Sequence, residues 1–166
     1  MAELDVVFTG KVKQKGVFDF AELYNFTYNW FVDKDYFIVE KVYTEKAQPD
    51  GKEVEIEWEA KRKISDYFRF VIKVNWRILG MKDVEVMKEG DKVKINKGYP
   101  EIKVKATLEK DYEHRWEGNA LLKFLRGVYD RFVIRGRIES YEEKIYQEAD
   151  EFLAQTKAFL ALEGKH

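Results

Sequence analysis

The sequence contains no cysteine and two prolines among its 166 residues. The absence of cysteine excludes disulfides, thiolate metal ligands and cysteine nucleophiles. The prolines, Pro49 and Pro100, are far apart, and no serine-rich or glycine-rich tract interrupts the chain. No segment therefore has the composition of an interdomain linker. We therefore expect residues 1–166 to form a single domain.

The sequence also lacks an excess of either charge and any long apolar run. The chain contains 30 basic and 31 acidic residues, which gives a net charge of −1. Proteins that grip phosphates usually carry a basic excess, so we expect no nucleic-acid partner. The runs of apolar residues are too short to span a membrane, and the N-terminus MAELDVVFTG lacks the zones of a signal peptide. We expect no transmembrane segment and a cytoplasmic location. Abundant Lys and Glu fit a heat-adapted source.

The chain is rich in apolar residues, and these recur at regular intervals along the sequence. Hydrophobic residues make up 45% and aromatic residues 16%, enough to fill a core. The first apolar positions alternate and predict a strand whose apolar face carries Leu4, Val6, Phe8 and Val12. Asp19 and Glu22 have the spacing of a capping box, which predicts a helix from Phe20 to Val32.

Residues 36–108 change to a period of two. The alternation predicts six strands, at 36–45, 54–60, 68–78, 84–86, 93–95 and 102–108, with Gly80 ending one strand and Asn96-Lys97-Gly98 forming a turn. Short connections predict antiparallel neighbours with one dry and one wet face. Trp58 and Trp76 should share the dry face. The charged residues that alternate with the apolar ones in these strands fit a solvated face.

The C-terminal third has helical periodicity. Asn119 is a candidate N-cap for a helix through about residue 134, and the apolar stripe of that helix comprises Leu121, Leu122, Leu125, Val128, Tyr129 and Phe132. Arg135-Gly136-Arg137 should break or kink the chain. A second helix extends to Leu162, with a seven-residue spacing at Ile138, Ile145, Phe152 and Phe159. That spacing suits a homodimer seam, although packing on its own sheet is the favoured use.

The fold class predicted by this order is α+β. An antiparallel sheet of about seven strands (β-α-β6-α-α) would be covered on one face by an N-terminal helix and a long C-terminal helix. The order resembles the START-like helix-grip fold, which implies a cavity between sheet and helix, although one helix replaces the usual pair after the first strand. The stretch EIEWEAKRKISDYFRFVIKVNWRILGMKDVEV, Glu55–Val86, is similar to small uncharacterised archaeal proteins, a resemblance that implies no activity.

Catalytic signals are sparse. A metal site could use Asp111, Glu113, His114 and Glu117, but this set holds one imidazole and resembles a charged helix end. Ser65 and Ser140 lie in no nucleophile elbow, and no glycine pattern fits a phosphate-binding loop. We expect no cofactor.

Arg62 falls on the dry face if the alternation of its strand continues. A charge there would need a partner or a polar ligand. The favoured alternative is that the strand ends and the side chain reaches water, since Lys61 and Lys63 flank it.

The aromatic residues are the richest functional signal. Candidate ligand-binding residues on the predicted dry surfaces are Phe20, Tyr24, Phe31, Trp58, Phe70 and Trp76. They fit a pocket for an apolar small molecule or a packed core, since both need an inward-facing surface.

Three functions remain open. The leading hypothesis is a non-catalytic binding protein, a helix-grip-like module that encloses an apolar or lipid-like ligand. The second is a protein-interaction or self-assembly module that uses the aromatic surface and the C-terminal helix. The third is a metal-dependent enzyme. A dry cavity favours the first, and a solid core with an exposed apolar patch favours the second.

Overall fold

The computed structural model describes residues 3–112, 119–133 and 135–163. It is an α+β protein in which a six-stranded antiparallel sheet is joined by helices. Along the chain the elements are β1 (Glu3–Lys13), β2 (Gly16–Phe18), α1 (Phe20–Asp33), β3 (Phe37–Gln48), β4 (Gly51–Lys63), β5 (Phe68–Lys88), β6 (Asp91–Lys110), α2 (Ala120–Val128), a π-helical turn (Tyr129–Val133) and α3 (Arg135–Glu163).

The strand order is β1-β6-β5-β4-β3, and β2 continues the β1 edge by pairing with β6. Strands β3 to β6 form a meander of hairpins, as the short connections predict. The turn between β5 and β6 is tight because Glu89 and Gly90 both have positive φ, at 54° and 84°, as a two-residue type I′ turn requires.

Two predicted breaks in the sheet are wrong. Strand β5 continues through Gly80 and β6 continues through Asn96-Lys97-Gly98, so four predicted strands are two. With the short strand β2, which was not predicted, the described sheet has six strands and not about seven. The register of the β5–β6 pair shifts between Leu79 and Lys82. Gly80, at φ 60°, lies in that irregularity and lets the strand continue where a turn was expected.

The predicted face of the first strand is also partly wrong. Leu4 and Val6 are 61% and 54% exposed, while Val12 is buried and Phe8 packs against the core. The register with β6 shifts between Val6 and Phe8. One extra residue in a strand reverses which side chains face inward, so the bulge turns Leu4 and Val6 toward the outer face.

The core lies between the inner sheet face and the helices. The alternating apolar positions at 54–60, 68–78 and 102–108 are buried, and Trp58 and Trp76 lie on the same side with ring centroids 5.3 Å apart. Asp19 caps α1 by accepting from the Glu22 amide at 3.1 Å. Helix α3 covers the sheet through Ile145 and Phe152, which are buried, so the seven-residue stripe packs on its own sheet.

One close approach fixes where α3 crosses the sheet. A Cβ atom on Gly10 would lie 2.7 Å from Cδ2 of Leu153 and 3.0 Å from Cζ of Phe8, so these side chains would have to shift to accommodate it. Glycine at this position of β1 therefore lets the helix lie directly on the strand.

Asn119 caps α2 by accepting from the Leu122 amide at 2.9 Å, as predicted. The break or kink expected near Gly136 coincides with a boundary between elements, because the π-helical turn ends at Val133 and α3 begins at Arg135. The irregular helical geometry is the π-helical turn upstream. No helix in the described part of the chain is long and apolar enough to cross a membrane.

Candidate functional site

The six predicted ligand-binding residues divide into two groups. Phe20, Tyr24, Trp58 and Trp76 form a cluster between α1 and the sheet, with ring centroids 5.1 Å apart for Tyr24–Trp58 and 6.2 Å apart for Phe20–Trp76. The remaining two lie in other contacts. Phe31 packs against Phe152 at 4.7 Å and Phe70 against Tyr141 at 6.4 Å.

Most of the aromatic cluster is filled by its own rings. Phe31, Trp58, Phe70 and Trp76 are 0–2% exposed. Glu40 orders the open edge of the cluster by accepting from the Tyr24 hydroxyl at 2.8 Å and from Nε1 of Trp58 at 3.2 Å. Burial and the Glu40 carboxylate raise the pKa of Tyr24 to about 12.

Trp76 contributes a buried polar group to the cluster. The indole N–H of Trp76 is buried and finds no hydrogen-bond partner among the residues that the structure describes. A surface cleft of about 470 Å³ opens beside Phe20, lined also by Gln48 and Met81. The cleft reaches the aromatic rings at Phe20, so it is the described opening nearest to the predicted site.

The Arg62 side chain is 16% exposed and is bound mainly by protein groups, whereas the favoured interpretation had it extending into water at the end of the strand. Its guanidinium donates to both carboxylate oxygens of Glu148, at 2.9 and 2.7 Å, and to the carbonyl oxygen of Lys34 at 2.7 Å. It also lies over the rings of Tyr36 and Phe70, at 4.7 and 5.2 Å from their centroids. The sequence alternation placed Arg62 correctly on the inner face, but its partner is 86 residues away.

The Arg62–Glu148 pair belongs to a closed network. The Tyr36 hydroxyl donates to Oε1 of Glu148 at 3.2 Å. Burial and the negative charge of Glu148 raise the pKa of Tyr36, while Arg62 opposes that shift. Burial alone would lower the pKa of Arg62, but the hydrogen bonds to Glu148 together with the electrostatic effects of Tyr36, Glu148 and Asp35 outweigh burial and raise the pKa. The network fastens α3 to β4 and to the end of α1, which is a structural role.

The predicted metal site lies largely outside the described residues, since Glu113, His114 and Glu117 all fall there. Asp111 is described, is 1% exposed and pairs with Nη1 of Arg126 at 3.4 Å. Among residues 3–112, 119–133 and 135–163, no group of three acidic or imidazole side chains could hold a metal ion.

A second buried pair lies on the inner face at the same end of the sheet. Nζ of Lys110 is 3.0 Å from Oδ2 of Asp5, and the Lys110 side chain is 6% exposed. Burial, followed by the negative charge of Asp5, raises the pKa of Glu142, and Lys110 opposes the shift. These contacts connect β1, β6 and α3.

Helix α2 carries a feature that the sequence did not reveal. Its predicted apolar stripe is divided, because Leu122 and Tyr129 are half-buried while the rest of the stripe faces outward. The outward side chains of α2 and the π-helical turn form what we call the α2 stripe. It consists of Leu121 (65% exposed), Phe124 (67%), Leu125 (41%), Val128 (37%) and Phe132 (73%).

The α2 stripe is continuous. At about 100° per residue, positions 121, 124, 125 and 128 fall within an arc of about 100°. The helix touches the body of the protein on another side, through Arg126 to Asp111 and through Tyr129 to Tyr67, whose ring centroids are 5.9 Å apart. No residue of α2 is buried. The sequence showed the amphipathic period, but it could not show that the apolar side faces away from the core.

Comparison of this chain with protein-family models, with curated proteins and with solved structures found no match.

Proposed function

We propose that the protein is a non-catalytic binding module that contacts its partner through the α2 stripe. The observation that carries this proposal is the outward orientation of five large apolar side chains on α2 and the adjoining π-helical turn. Single exposed apolar residues are common on protein surfaces, but a contiguous set of them marks an interaction site.

The packing of the core supports the same choice. A carrier of an apolar molecule needs an internal space, whereas an interaction module needs a filled interior and an apolar surface. The predicted pocket residues Trp58 and Trp76 contact one another and are 1% and 2% exposed. A contiguous set of exposed apolar side chains lies on α2 and the adjoining π-helical turn.

The test of this proposal is binding of an apolar fluorescent dye, anilinonaphthalene sulfonate, to the folded protein. We expect a dye signal that falls to background when Phe124 and Phe132 are both replaced by Ser. The matched control is Phe37→Ser, because Phe37 is also 73% exposed but lies on β3. Equal dye signals from the native protein and the double variant would show that the stripe is not an accessible binding surface.

A helix-grip-like module for an apolar or lipid-like ligand is the second candidate. The buried and unpartnered indole N–H of Trp76, close to Phe20 and to the neighbouring cleft, is the observation that favours it. A ligand oxygen placed there would satisfy this donor. Native mass spectrometry of the purified protein tests this candidate, because it predicts a small molecule that co-purifies and is lost in Trp76→Phe.

A further inference from the structure

We propose that the partner of the α2 stripe is the surface of an anionic lipid bilayer. This inference rests on the proposed function of the stripe and adds the chemistry of the partner. A helix that binds in the plane of a bilayer places apolar side chains among the acyl chains and basic side chains among anionic headgroups.

The charge of the segment around the stripe supplies the second half of that requirement. Residues 119–137 contain five basic residues, Lys123, Arg126, Arg131, Arg135 and Arg137, and one acidic residue, Asp130, so their net charge is 5 − 1 = +4. The whole chain has a net charge of −1. Basic charge is therefore concentrated where the apolar side chains are exposed.

Several of these cations are available to a partner. Lys123, Arg131 and Arg137 are exposed, while Arg126 is paired with Asp111 and the exposed Arg135 with Glu139, each at 3.4 Å. The guanidinium of Arg131 lies 5.5 Å from the ring centroid of Phe132, so a cation and a stripe residue are side by side. A long basic side chain beside an apolar one can reach the headgroups while its neighbour enters the apolar layer.

A second copy of the chain fits this surface less well. Apposing two stripes would bring together two segments of charge +4, and like charges across an interface oppose association. The helix also cannot cross a bilayer, since no described helix is long and apolar enough. The remaining partner that offers both apolar depth and negative charge over a wide area is the face of an anionic membrane.

The experiment is co-sedimentation of the full-length protein with vesicles. One set contains phosphatidylglycerol and phosphatidylcholine in equal parts, and the other contains phosphatidylcholine alone. We expect binding to the anionic vesicles, weaker binding to the neutral ones, and loss of binding as salt is added, because exposed charges are screened. Binding that ignores both lipid charge and salt would overturn the proposal.

Matched variants assign the binding to the α2 stripe. Phe132→Ser should lower the partition constant about tenfold, because one phenyl side chain leaves the apolar layer. Arg131→Glu should lower it on the order of tenfold or more, because the cation beside Phe132 is replaced by an anion. Phe37→Ser and Lys94→Glu make the same kinds of change elsewhere and should leave binding unchanged. Equal binding by the stripe variants and the native protein would sink the proposal.

The outcomes separate the two proposals. If the stripe binds the dye but no vesicle sediments the protein, the membrane partner is wrong and the stripe remains a docking surface. A dimer in sedimentation velocity that Phe132→Ser dissociates would then identify a second copy as the occupant. If neither dye nor vesicles depend on the stripe, both proposals fail. Unchanged circular dichroism of each variant confirms that the fold is intact.

Discussion

Replacing Glu148 with Ala tests how strongly one buried ion pair holds α3 to the sheet. The change leaves the guanidinium of Arg62 with its bond to the Lys34 carbonyl and removes both carboxylate bonds, at 2.7 and 2.9 Å. The Arg62 and Glu148 side chains are 16% and 11% exposed, so water replaces the lost partner poorly. Breaking a buried pair in this way costs about 3–5 kcal/mol.

The measurement is thermal unfolding followed by circular dichroism or calorimetry. For a chain of this size, 1 kcal/mol moves the unfolding midpoint by about 2–4 °C, so we expect Glu148→Ala to lower Tm by roughly 6–20 °C. Removing both charges together, by replacing Arg62 with Met and Glu148 with Leu, should recover much of that loss. An apolar pair leaves no buried charge without a partner.

Glu151→Ala is the matched control. Glu151 lies on the same helix and pairs with Nζ of Lys34 at 3.6 Å, but the two side chains are 42% and 38% exposed. Exposed pairs contribute about 0–1 kcal/mol, so this change should barely move Tm. If Glu148→Ala and Glu151→Ala destabilise the protein equally, the role given to the buried network is refuted.

Two further predictions concern titration and a glycine. Burial and a neighbouring carboxylate raise the pKa of Tyr24 and of Tyr43 to about 12. Because the pKa of the buried Tyr36 is raised further, we expect ultraviolet titration to show two phenols that ionise near pH 12, after the ordinary tyrosines and before Tyr36, with one of the two lost in each of Tyr24→Phe and Tyr43→Phe. The stability that the raised pKa values of these tyrosines contribute is complete below pH 10 and is lost as the pH rises through about 12. The absence of a late transition would contradict the assignment. Gly51→Ala should destabilise the protein, because Gly51 has φ 129° and an added Cβ would lie 2.7 Å from the Gly80 carbonyl carbon. Gly127→Ala is the control, because the added Cβ meets open space. Equal Tm values for the two variants would contradict this prediction.

Local patterns were sufficient to predict the core and the caps. Alternation placed Trp58 and Trp76 on one face, and the Asp19 and Asn119 caps are where their sequence signals lie. These predictions succeed because period and capping depend on residues a few positions apart.

The failures all involve partners distant in sequence or one extra residue in a strand. Gly80 indicates a turn, but pairing with β6 carries the strand through it. The bulge before Phe8 reverses which side chains of β1 point inward, and strict alternation in the sequence does not predict that reversal. The partner of Arg62 and the outward orientation of the α2 stripe depend on tertiary placement, which periodicity does not encode.

The bulge in β1 has a counterpart in β3, and both strands lie at the margins of the sheet. The register of β3 with β4 shifts between Glu40 and Val42, and that of β1 with β6 between Val6 and Phe8. Unpaired backbone groups at a sheet margin can template the addition of another chain, and a bulge interrupts the regular spacing that such addition requires. The bulges therefore disfavour edge-to-edge aggregation at both outer strands of the sheet.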